Sequence, residues 1–129
     1  MWADQYVGLP FLRGGRDRTG LDCYGLVRLV LAEQSGVLLD RFDDVIDVGE
    51  AGRVRGYVQG FQSVDVAEAK PLDMVIVNEP VLNAGRWVRA PIHIGVIAAP
   101  GLLLHINKNT LSRVDRLQGM DISEIRRVL

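Results

Sequence analysis

A chain of 129 residues, 48% hydrophobic and 24% charged, suits one domain over residues 1–129 that buries roughly two thirds of the surface its unfolded form exposes. Its formal net charge of -1 leaves no electrostatic footprint for nucleic acid or an anionic membrane surface. No apolar run approaches the ~20 residues that span a bilayer, and Met1 to Tyr6 lacks the basic and apolar segments of a secretory leader, so synthesis in a cytoplasm is expected.

The segment from Tyr6 to Gly20 is punctuated by Gly8, Pro10, Gly14, Gly15 and Gly20 and reads as a loop with one short extended piece at most. From Cys23 to Gln34, the residues Leu26, Val27, Val30 and Leu31 recur at the three and four residue spacing of an amphipathic helix. Asp22 or Thr19 can cap its start and Gly36 its end. Leu38 to Val66 carries Asp40, Asp43, Asp44, Asp47 and Glu50, then a weak helical pattern through Val54, Tyr57, Val58 and Phe61. It reads as a loop with a solvated acidic face leading into a second, shorter helix.

Beyond Lys70-Pro71 the pattern turns extended. Met74 to Val77 and Ile92 to Ala98 are apolar runs, and Glu79 to Arg89 between them is expected to be an exposed loop or wide hairpin. The turn Ala99-Pro100-Gly101 joins the second run to a third, Leu102 to Ile106, as a β-hairpin. Ile122 to Leu129 fits a last strand or a helix. A helix followed by antiparallel strands is an α+β order.

Cys23 is the only cysteine, placed where loop becomes helix. The unpaired N–H groups of a helix's first turn favour a thiolate there. An imidazole suits the tasks of base and proton donor to such a sulfur, and a second polar group on its other nitrogen would orient it. The chain has two histidines, His93 and His105, on the two arms of the hairpin. Their shared parity places them on one face of the sheet, near opposite each other.

A lone cysteine is more often an inert small hydrophobe, and a strand histidine more often a structural hydrogen-bonding group. The Asp-Cys-x-Gly context together with the histidine pair points instead to a cysteine hydrolase. A zinc site from Cys23, His93, His105 and Asp22 uses acceptable ligands but lacks paired ligand spacing. A Cys23–His93 ion pair would keep alkylation of Cys23 fast well below the ~8.5 of a free thiol.

Six stretches carry a family resemblance: Tyr6-Val7-Gly8-Leu9-Pro10-Phe11, Gly14-Gly15, Asp22-Cys23-Tyr24-Gly25-Leu26-Val27, Leu72-Asp73-Met74-Val75, His93-Ile94-Gly95-Val96 and Leu104-His105. Together they resemble the NlpC/P60 family of cysteine peptidases over nearly the whole chain. The stretch from Gly14 to Val27 looks most like the branch found in phage tails and phage-like gene transfer particles.

The resemblance implies a papain-like α+β fold, with the nucleophile's helix packed on an antiparallel sheet. It implies Cys23 as nucleophile, His93 as base and His105 as the group orienting His93. Tyr6 matches a tyrosine that helps hold the oxyanion, and Asp22 an acidic residue that receives the free amino end of the stem peptide. Tyr24 stands where many members carry a serine that contributes to substrate recognition.

The implied activity is hydrolysis of peptidoglycan stem peptides, typically at the D-γ-glutamyl–diamino acid bond, without metal or organic cofactor. The implied setting is a particle tail, with tail-tip or baseplate proteins as partners. Trp87, by its place in the Glu79 to Arg89 segment, is expected to pack on its own domain, with a docking surface as the second reading. A structural tail-tip component with little or no activity is the alternative.

Overall fold

The computed structural model describes residues 1–43 and 51–129. Asp44, Asp47 and Glu50, assigned above to a solvated face, lie outside the described residues.

A short 3-10 helix, Trp2–Tyr6, is followed by two-residue strands β1 (Arg16–Asp17) and β2 (Gly20–Leu21), so the glycine-rich segment holds a tiny hairpin where one extended piece was expected. Helix α1, Cys23–Ser35, starts at Asp22, whose carboxylate accepts the Gly25 N–H, and stops at Gly36 in the left-handed conformation at φ 71°. One face of α1 is fully buried through Leu26, Val27, Val30 and Leu31, as its periodicity requires. Helix α2, Ala51–Val58, fulfils the weaker helical pattern.

The sheet has six strands in the order β3-β8-β4-β5-β6-β7, formed by Gln62–Val64, Met74–Asn83, Arg86–Ala99, Leu102–His105, Arg113–Arg116 and Ile122–Arg127 as β3 to β8. Every pairing is antiparallel. Glu79 to Arg89 is a continuation of β4 and β5 into a regular hairpin rather than a loop. Its two-residue turn puts Ala84 at φ 51° and Gly85 at φ 76°, the pair of positive values that matches the twist of the flanking strands. Alanine rarely takes that conformation, which is why the turn is inconspicuous in sequence. The terminal segment resolves as strand β8.

The sheet's centre is covered on both faces, which explains the near-continuous apolar runs of β4 and β5. Met74, Ile76, Ile94, Val96, Ala98 and Leu104 pack with α1 in the larger core. Val75, Val77, Ile97, Leu103 and Ile125 form a second cluster with Val64 and Leu117.

Candidate active site

The first turn of α1 is pinned from two sides. Asp22 Oδ1 accepts the Gly25 N–H at 2.7 Å and pairs at 2.8 Å with Nη1 of Arg16, whose side chain is 2% exposed. The remaining Arg16 donors reach the carbonyl oxygens of Gly15, Arg41 and Phe42. Gly25 is needed for close approach, since a Cβ there would lie 2.0 Å from the Gly15 carbonyl oxygen. The preceding loop is therefore packed directly onto the turn that carries Cys23.

Cys23 is half-buried against the larger core, with the backbone N–H groups of Ile94, Tyr24 and Cys23 itself near its sulfur. These donors lower the thiol pKa, as a helix N-terminus should. Burial outweighs them, the Asp22 charge adds to it, and the thiol is pushed up to about 11. The net shift is upward, toward the neutral thiol and opposite to what the helix N-terminus alone favours.

His93 is buried and its pKa is pushed down to about 4, first by burial and then by the nearby His105 and Arg113. Both shifts favour the neutral forms over an ion pair, and among the described residues no hydrogen bond joins Cys23 to His93.

The two histidines do meet. His93 Nε2 lies 2.8 Å from His105 Nδ1, with the rings edge to face. They are diagonal rather than directly opposite: Val96 pairs with Leu104, which sets His105 across from Gly95 in the continued register. The same diagonal step is repeated on the next strand. His105 is paired with Arg113, and its Nε2 lies 2.7 Å from Oδ2 of Asp115, two residues on. Arg113 Nε donates to that same oxygen at 2.6 Å. Asp115 is consequently held well below the usual carboxylate range, by Arg113 first and His105 second.

Asp115 is absent from the sequence reading. Its only cue is the short polar alternation Arg113-Val114-Asp115-Arg116 two turns of chain after His105, with Val114 packed on the larger core.

Cys23 and His93 line one cleft of about 1090 Å³, together with Asp22, Tyr24 and Arg16. Its walls carry Arg13, Arg16, Arg55 and Lys108 against Asp22 and Glu79, an excess of positive charge. Tyr24 is buried, with its hydroxyl donating to the Asp40 carbonyl, its ring edge-on to Phe42 and the Arg16 guanidinium over its face. It packs against the segment that follows α1.

Tyr6 is not brought to the thiol. Its hydroxyl donates to Glu33 at 2.9 Å and accepts from Gln34 at 3.0 Å. Those partners sit ten and eleven residues along α1 from Cys23, about 15 Å or more at 1.5 Å per residue. The oxyanion role expected for Tyr6 is corrected by that placement: its ring closes the far end of α1. Among the described residues, no group of three or more His, Cys, Asp or Glu converges as metal ligands.

No protein-family model matches the chain, and no curated protein matches it in sequence. Solved structures match in fold. The NlpC/p60 domain of the peptidoglycan hydrolase SagA superposes with a TM-score of 0.66 at 20% identity, covering 97% of this chain and 92% of that one. NlpC1 from Trichomonas vaginalis gives a TM-score of 0.69 at 18% identity over 97% of this chain and 41% of that one. A lipoprotein-like NLP/P60 family protein from Staphylococcus aureus gives 0.67 at 21% identity, over 98% and 39%. The chain thus spans less than half of the latter two. Its α+β architecture, a helix packed on a six-stranded antiparallel sheet, is that of NlpC/P60 domains.

Proposed function

We propose that this chain is a cysteine peptidase that cleaves peptidoglycan stem peptides at the D-γ-glutamyl–diamino acid bond, as part of a phage or phage-like tail. The observation that carries the reading is that His93, on the wall of the cleft that Cys23 also lines, is hydrogen-bonded to His105 behind it. The fold shared with a peptidoglycan hydrolase domain supports the substrate class. The basic excess in the cleft suits a stem peptide, whose γ-linked glutamate leaves a carboxylate free. Arg55, one of the basic residues of the cleft wall, is paired through Nη2 with Glu124 at 3.5 Å. The tail assignment rests on the Gly14 to Val27 stretch alone.

In this account the nucleophile is Cys23 and the base is His93, acting through Nδ1, the ring nitrogen that its bond to His105 leaves over. As sulfur attacks the amide carbonyl, the thiol proton passes to His93, and the oxyanion is met by the Cys23 backbone N–H. His93 returns the proton to the departing amine, giving a thioester and a free amino end. Water, deprotonated by His93, attacks the thioester and releases the carboxylate and the thiol. General-base activation of a neutral thiol fits the raised thiol and lowered imidazole pKa values better than a preformed ion pair.

A second reading is a structural tail component with little or no activity. It is favoured by Asp22, the carboxylate expected to receive the substrate's amino end, being paired with buried Arg16. A zymogram on purified peptidoglycan separates the two: the wild type clears and Cys23→Ala does not. Equal clearing, or none from either, removes the hydrolase reading.

A further inference from the structure

Three strands carry one diagonal chain of side chains. His93 on β5, His105 on β6 and Asp115 on β7 are linked by contacts of 2.8 and 2.7 Å, ending at a carboxylate held by Arg113. Each link can hold one proton, so the links are not independent.

An ionised carboxylate is an acceptor only, so the His105–Asp115 contact needs the proton on His105 Nε2. A neutral His105 then has a bare Nδ1, which can only accept. The proton in the 2.8 Å contact must come from His93 Nε2, and His93 Nδ1 is left bare. A doubly protonated His105 would reverse the outcome, donating to His93 Nε2 and forcing the proton onto Nδ1. Arg113 opposes that state. It shares the Asp115 oxygen with His105, so the carboxylate's charge is already balanced and no unpaired anion remains to hold an imidazolium in a buried site.

We propose that Asp115 is a positioning residue that sets the tautomers of both histidines through two successive hydrogen bonds, so that His93 keeps Nδ1 free to accept a proton. The role of that proton acceptor rests on the peptidase reading above. The tautomer assignment does not.

The test is ¹⁵N spectroscopy of the imidazoles, which tells a protonated ring nitrogen from a bare one, read beside stem-peptide hydrolysis. Two histidines give two ring systems. The wild type should show His93 with Nε2 protonated and Nδ1 bare, and His105 protonated at Nε2. Asp115→Ala removes the acceptor: His93 should populate the Nδ1-protonated form, and hydrolysis should fall by up to about 10⁴-fold, the cost of a catalytic histidine in the wrong tautomer.

In Asp115→Asn, Arg113 Nε, which donates to Oδ2, should hold the amide oxygen toward His105 Nε2, so that the tautomer and most of the rate are kept. Asp115→Val, β-branched on the edge strand β7 and without an acceptor, serves as a second variant with the same expectation as alanine if that one fails to fold. A wild-type His93 protonated at Nδ1 overturns the proposal, as do alanine and valine variants with unchanged tautomers. A wild type with the expected tautomers and no hydrolysis overturns the peptidase reading and leaves the relay standing.

Discussion

Replacing Asp22 by asparagine should weaken the fold while making Cys23 more reactive. The carboxylate has two partners on one oxygen, the Gly25 N–H at 2.7 Å and the Arg16 guanidinium at 2.8 Å. Asparagine preserves the cap, since its amide oxygen accepts as well as a carboxylate does at this position. It cannot neutralise Arg16, whose side chain is 2% exposed.

Breaking a buried pair from one side costs about 3–5 kcal/mol. The low end, about 3 kcal/mol, applies because three carbonyl oxygens still accept from Arg16 and Asp22 is itself 20% exposed. Asp22→Ala should lose about 1 kcal/mol more, the value of the cap.

The sulfur responds with the opposite sign. The Asp22 charge raises the Cys23 pKa, second only to burial, so its removal lowers that pKa and speeds alkylation at pH 8. Urea unfolding with an unchanged m-value gives the first quantity, and iodoacetamide kinetics on the folded protein give the second. An asparagine variant as stable as the wild type, or one alkylated more slowly, would refute the reasoning.

Other consequences are as specific. Alkylation of wild-type Cys23 should be slow at neutral pH and rise toward the thiol pKa near 11; a plateau reached below pH 8 would contradict the neutral resting pair. His93 is held near 4 against an ordinary 6.5, so its neutral form is the one the fold favours. Its contribution is present above pH 6.5 and is lost as pH falls toward 4, on the order of 3 kcal/mol. Acid titration of stability should be flatter across that window in His93→Gln.

Gly25→Ala should lower the melting temperature even though alanine is the better helix former by about 1 kcal/mol. The new Cβ meets the Gly15 carbonyl oxygen at 2.0 Å and backbone must move, at a cost of at least about 1–3 kcal/mol. Tyr6→Phe should cost about 1 kcal/mol of stability through its lost hydrogen bonds and leave the hydrolysis rate unchanged; a fall in rate at full folding would return Tyr6 to the chemistry.

Much of the fold is legible in the sequence because the responsible physics is local. The 3.6-residue spacing of Leu26, Val27, Val30 and Leu31 and the caps Asp22 and Gly36 define α1 almost to the residue. The hairpin joining β5 to β6 follows from its Pro-Gly turn, and the parity of His93 and His105 brought them to one face. What stayed hidden depends on tertiary placement. Strand β7 is short and polar because it is an edge, and Asp115 acquires a role only through register with β6.

Tyr6 lies early in the chain, but its position against the far end of α1 depends on how the 3-10 helix docks. The thiol's charge state turned on a competition between first-turn N–H groups and burial, and sequence displays only the first. Arg16 looked like one of several loop arginines, and nothing in its neighbours announces that it is buried against Asp22.

The most direct test of the central claim is mass analysis of the fragments released from purified peptidoglycan. A peptidase acting through Cys23 predicts a new amino terminus on the diamino acid, in the wild-type digest and not in that of Cys23→Ala. The same fragments from both proteins, or none from the folded wild type, would contradict it.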